Sequence, residues 1–119
     1  MAAPNIVAVA SIYGKTAVQA ITTSATAIVS NSAASGTVVK VNDLVVSNVD
    51  GSNACNLTVD LYRSSTAYRS HYLIAVPARA SLVAIAKDSA LYLEEGDSLR
   101  LTASGDGDLE AVCSYEVIA

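Results

Sequence analysis

The feature that most limits what this chain can become is a period of two. In Asn56-Leu57-Thr58-Val59-Asp60-Leu61-Tyr62-Arg63 apolar side chains fall on odd positions up to Leu61 and polar or amphipathic ones on even positions. That is the signature of a strand with one buried and one wet face, because successive side chains of an extended chain point to opposite sides of a sheet. Ser98-Leu99-Arg100-Leu101-Thr102-Ala103 repeats the pattern. Leu109, Ala111, Cys113, Tyr115 and Val117 extend it along a final strand whose other face carries Glu110, Ser114 and Glu116. Between Thr37 and Val49 the apolar parity switches at Asn42-Asp43, from Val39 and Val41 to Leu44 and Val46, as one inserted residue would make it do.

The punctuation agrees. Asn48-Val49-Asp50-Gly51-Ser52-Asn53, Glu94-Glu95-Gly96-Asp97 and Gly105-Asp106-Gly107-Asp108 each set Gly beside Asp or Asn, the residues that make tight turns. Strands separated by such turns predict an all-β fold, a single-domain antiparallel β-sandwich of jelly-roll or immunoglobulin-like order. His71–Val76 and Ser81–Ala86 are apolar on both parities, which places them inside a sheet or under a neighbouring subunit. Ile6–Ile12 and Thr16–Ser30 read as two further strands, and Asn31–Gly36 as a surface loop. The chain divides into an N-terminal arm or first strand, 1–13, and a sandwich domain, 14–119.

The 119 residues allow one domain and one core. That core is built without Trp or Phe, so Val, Leu, Ile and Ala, with six Tyr, must fill it. Charged residues make up only 15%, and seven Lys and Arg against eleven Asp and Glu give a net charge of −4. No basic field exists to recruit nucleic acid or an anionic membrane, and the apolar run from Ile6 to Ile12 is too short to span a bilayer. A surface this poor in charge suits packing against other subunits.

Candidates for chemistry are few. His71 has no nucleophile motif beside it, and its expected place is a surface or an interface. Cys55 and Cys113 lie on the apolar parity of their strands and read as small buried hydrophobes; a disulfide would require the two strands to face each other, and zinc would need two more soft ligands. Glu94, Glu95 and Asp97, and Asp106 with Asp108, could offer oxygens to calcium, but turns use the same residues for backbone reasons. The glycines lie in turns between strands, where no phosphate cradle forms. No cofactor and no enzymatic activity are expected. Tyr62, Tyr68 and Tyr72 with Arg63 and Arg69 form the one aromatic and basic concentration, and such residues are enriched at contact surfaces. With Ile6, Val7, Val9, Ile12 and Tyr13 of the apolar N-terminal segment, they make up the expected interface.

From about Lys15 onward the chain resembles small structural proteins of tailed bacteriophages. The likeness rests on Lys15-Thr16-Ala17, the Thr-rich stretch Ile21–Ser30, Val-Asn-Asp-Leu-Val-Val-Ser-Asn-Val-Asp-Gly at 41–51, Leu-Glu-Glu-Gly-Asp-Ser-Leu at 93–99, and the closing Glu-Ala-Val-Cys-Ser-Tyr-Glu-Val-Ile. It implies a virion protein: a capsid decoration (cement) protein bound to the major capsid protein, or a neck or tail accessory subunit, built as a β-sandwich and often trimeric. No functional residue carries over. A carbohydrate or surface-ligand binding module is the second class, disfavoured by the absence of Trp.

Overall fold

In the computed structural model, which describes residues 10–119, nine strands follow one another. They are β1 (Ile12–Ala20), β2 (Thr26–Ser30), β3 (Val38–Asn48), β4 (Cys55–Arg63), β5 (Thr66–Val76), β6 (Ser81–Ile85), β7 (Leu91–Leu93), β8 (Ser98–Ala103) and β9 (Leu109–Ile118). A single 3₁₀ turn, Lys87–Ser89, separates β6 from β7. No helix among the described residues is long and apolar enough to cross a membrane.

Two sheets face each other, β1-β9-β3-β6 with β7 also on β3, and β2-β8-β4-β5. The strands join as β1 with β9, β2 with β8, β3 with β6, and β4 with β5, all antiparallel. This is the pairing of one long hairpin wrapped on itself, the jelly-roll order, and it decides against the immunoglobulin-like alternative. The strands β6 and β7 share one flank of β3, β6 against Leu44–Ser47 and β7 against Val39–Val41. Together they act as one edge strand interrupted by the 3₁₀ turn.

The core is the inner parity of both sheets: Val39, Val41, Leu44, Val46, Ala111 and Cys113 from one, Leu57, Val59, Leu99, Leu101 and Ala103 from the other. The parity switch in β3 is real, since its register against β9 slips between Val41 and Asp43. Two buried asparagines tie the layers at opposite ends of β3. Asn31 donates from Nδ2 to the carbonyls of Thr37 and Leu93 at 3.0 Å each, and Asn48 donates to those of Asn53 and Val76 at 2.9 Å each. Buried carbonyls at strand ends need such partners.

Three expectations need correction. The stretch Thr16–Ser30 is not one strand: it breaks after Ala20, where Ile21 turns into the core and Thr23 N–H binds Asp106 Oδ1 at 2.9 Å. Asn31–Gly36 is a loop, but its first residue is buried and anchors it. His71–Val76 and Ser81–Ala86 do not lie inside a sheet: they belong to the edge strands β5 and β6, where Val76 and Ile85 reach the core while Leu73, Ile74 and Val83 are exposed. Apolar side chains on both parities marked edges with no covering layer within the described chain, because periodicity reports what a strand could bury and not whether anything lies against it.

The β4–β5 hairpin closes on two residues, Ser64 and Ser65, both with positive φ (51° and 61°), between the paired Arg63 and Thr66. Such a turn favours Asn-Gly, and a residue with a Cβ is strained there. The double change Ser64→Asn, Ser65→Gly should raise stability by about 1–2 kcal/mol, read as a higher urea midpoint with an unchanged slope. An unmoved midpoint would mean that the serines carry no such strain.

Candidate functional site

The strand pattern divides the predicted interface residues among different surfaces. Ile6, Val7 and Val9 lie outside the described residues. Ile12 and Tyr13 open β1 and are exposed, at 53% and 58%. They stand where the chain enters the sheet, held by Ala10 and Ser11 N–H groups that both donate to the Ala119 carbonyl, at 2.8 and 3.0 Å.

Of the tyrosine and arginine group, Tyr62, Arg69 and Tyr72 gather on the outer face of the β2-β8-β4-β5 sheet. There Arg100 stacks 3.9 Å from the Tyr62 ring centroid, and Arg69 stacks 5.0 Å from that of Tyr72. The hub is Asp60, buried on that face. Its carboxylate accepts from Arg100 Nε at 2.9 Å, and Arg69 is its cross-strand partner on β5. Sequence reading missed Asp60 and Arg100. Their equal place on the polar parity of two alternating strands was the available signal, but pairing could not be read from one strand alone. Tyr68 is exposed opposite Leu61, on the other parity.

Arg63 is engaged within the chain. Its guanidinium grips Asp97 through Nε–Oδ1 at 2.8 Å and Nη2–Oδ2, and takes Glu94 Oε2 at 2.7 Å. Asp97, 2% exposed, also accepts from the Glu94 backbone N–H at 2.9 Å. The hydrogen bonds from Arg63 hold the Asp97 carboxyl below the usual carboxylate range against the opposing effect of burial, and the same bonds push the Arg63 value up. The acidic loops thus have structural partners: Glu95 accepts from Gly36 N–H at 3.1 Å, and Asp106 from Thr23.

His71 lies in a cleft of about 230 Å³ between the β5 and β6 edges, lined also by Ser70, Ala84, Ile85, Ser89 and Leu91. Ser70 Oγ sits 3.0 Å from His71 Nδ1. Ser70 is its hydrogen-bond partner, and no carboxylate bonds the ring among the described residues. Cys55 and Cys113 are free and buried in opposite sheets. Burial, then the charge of Asp43, pushes the Cys113 thiol up to about 12. Since thiolate is the reactive form, a thiol reagent should leave native protein unmodified and label two thiols per chain in denaturant. Labelling at native pH 8 on the folding timescale of minutes or less would show the core to be open.

A continuous apolar row lies elsewhere, on the outer face of the β1-β9-β3-β6 sheet. Val18 pairs with Val112, Val112 with Val45, and Val45 with Val83, so one row of four valines crosses all four strands. Val18, Val112 and Val83 are 75%, 46% and 58% exposed.

The chain matches no protein-family model and no curated protein. Solved structures that share its fold include two assembly proteins. One comes from disulfide-linked pili described as Bacillus endospore appendages, with a TM-score of 0.52 and 9% identity over 92% of this chain and 87% of that one. The other comes from the acid-stable capsid of a Helicobacter pylori bacteriophage, with a TM-score of 0.55 and 8% identity over 94% of this chain and 90% of that one. At these identities the likeness is one of fold.

Proposed function

We propose that this chain is a structural subunit of a virus particle, a capsid decoration protein that adds to the shell by many copies of one modest contact. Its role is to bind, and no catalytic step is assigned to it. The observation that carries the reading is the start of β1: Ile12 and Tyr13 stay more than half exposed although the backbone around them is fixed in a sheet and strapped to Ala119. An ordered strand that leaves large apolar side chains uncovered is built to be covered by something else. Ahead of it the sequence continues the apolar character with Ile6, Val7 and Val9. The jelly-roll order, which recurs in viral capsid domains, and the likeness to a capsid chain support the setting, though fold alone assigns no role.

Multivalency makes a weak contact sufficient, because each added copy gains affinity without a larger interface. The test is deletion of residues 2–9, which stops short of β1. Expected are unchanged circular dichroism and melting, together with lost binding to undecorated shells. Retained binding would overturn the arm's role. The neck or tail reading differs in number: quantitative mass spectrometry of particles should find hundreds of copies for a decoration protein and a few dozen at most for a neck or tail component.

A further inference from the structure

The valine row has neighbours that make its sheet face complementary to itself. Two levels along the strands, toward the β1 start and past the level of Thr16, Ser114 and Asp43, β-pairing lines up Gly14, Glu116, Lys40 and Tyr92 across β1, β9, β3 and β7. On this level Tyr92 is 40% exposed, and a Cβ built at Gly14 would meet nothing within 4 Å. Glu116 takes the Asn42 amide at 3.0 Å, while Lys40 makes no ion pair among the described residues.

A two-fold axis lying parallel to the strands, between β9 and β3, keeps each level and exchanges the strands. It sets β9 of one copy on β3 of the other and β1 on β6 and β7. Val112 then meets Val45, and Val18 meets Val83, twice each. Lys40 meets Glu116 twice, and the ring of Tyr92 comes over the side-chain-free Gly14. Apolar, charge and shape complementarity coincide under one operation, and an isologous contact requires that a surface match itself under such an operation. Sheets stacked face to face sit about 10 Å apart with strands within about 30° of alignment, which interdigitating valines fill.

We propose that two copies of this chain pair through the outer face of the β1-β9-β3-β6 sheet, making a four-layered dimer centred on Val112 and Val45. The pairing does not rest on the arm or on a virion setting, and it is read on the isolated full-length protein. Sedimentation velocity should show a dimer. Val112→Lys and Gly14→Tyr, both at solvent-facing positions, should each weaken it roughly tenfold or more while the circular dichroism of the folded chain stays unchanged. A cross-link fixes the arrangement independently of affinity. Within one chain Val18 and Val83 are three strand spacings apart, about 14 Å, but in the dimer they face each other. The variant Val18→Cys/Val83→Cys, treated with a bismaleimide spacer shorter than that span, should give covalent dimers, because Cys55 and Cys113 are buried and do not compete. A wild-type monomer at all concentrations, an oligomer indifferent to both substitutions, or the absence of covalent dimer would each overturn the proposal. Absence of the protein from particles would overturn the decoration role alone.

Discussion

Leu101→Ala should cost about 3–4 kcal/mol and lower the melting temperature by roughly 12–16 °C. Leu101 is fully buried in β8, between β2 and β4, and points at the opposite sheet. Its surroundings are aliphatic, since the chain has no Phe or Trp whose ring could tilt into the space. Strand ladders on both sides pin the backbone, so the site cannot collapse far, and the cost belongs in the upper half of the range for buried leucines. Against a total stability of about 5–15 kcal/mol for a domain of this size the loss is large. Urea unfolding checks it, and a cost below about 1.5 kcal/mol would show that this core relaxes more freely than two paired sheets should.

The second large effect is expected at Asp97. Removing its carboxylate in Asp97→Ala strips the Glu94 N–H of its acceptor and leaves the Arg63 guanidinium with Glu94 alone. Losing hydrogen bonds made to a buried charged acceptor should cost about 2–3 kcal/mol. The effect also has a pH signature. The folded-state value is depressed, so between it and the ordinary value near 4 the unfolded chain binds more protons than the folded one, and stability rises with pH. The contribution is therefore complete above the ordinary carboxylate range and disappears as pH falls through the lower, folded value. Wild-type protein should lose stability over that acid window, and Asp97→Ala should lose less. Equal slopes for the two would show that the Arg63 pair is not what depresses the carboxyl.

The fold was largely legible because alternation is a local property. The β4, β8 and β9 strands, the slip in β3 and the Gly-Asp turns all follow from neighbouring residues. What the sequence could not show depends on partners distant along the chain. Asn31 looks like any loop residue until β7 brings the Leu93 carbonyl to it, and Asp60 needs Arg100 from another strand. Arg63, grouped with the tyrosines by proximity in sequence, turned out to serve Asp97 because parity sends it to the other side from Tyr62. The valine row escaped for the same reason: its four members lie on four different strands, and only the register joins them.

The sheet margins differ in a way that bears on how such a chain behaves when crowded. The β5 margin carries two register slips against β4 and a positive φ at Leu73, β2 is five residues long with a slip of its own, and the β6–β7 side is split by the 3₁₀ turn. By contrast β1 keeps nine residues in unbroken register with β9. Irregular margins refuse a foreign strand, whereas a straight one accepts it. Any runaway polymer formed from partly opened molecules should therefore nucleate from this one margin, and a proline placed there on an outward-pointing amide would be the economical way to keep concentrated stocks clear.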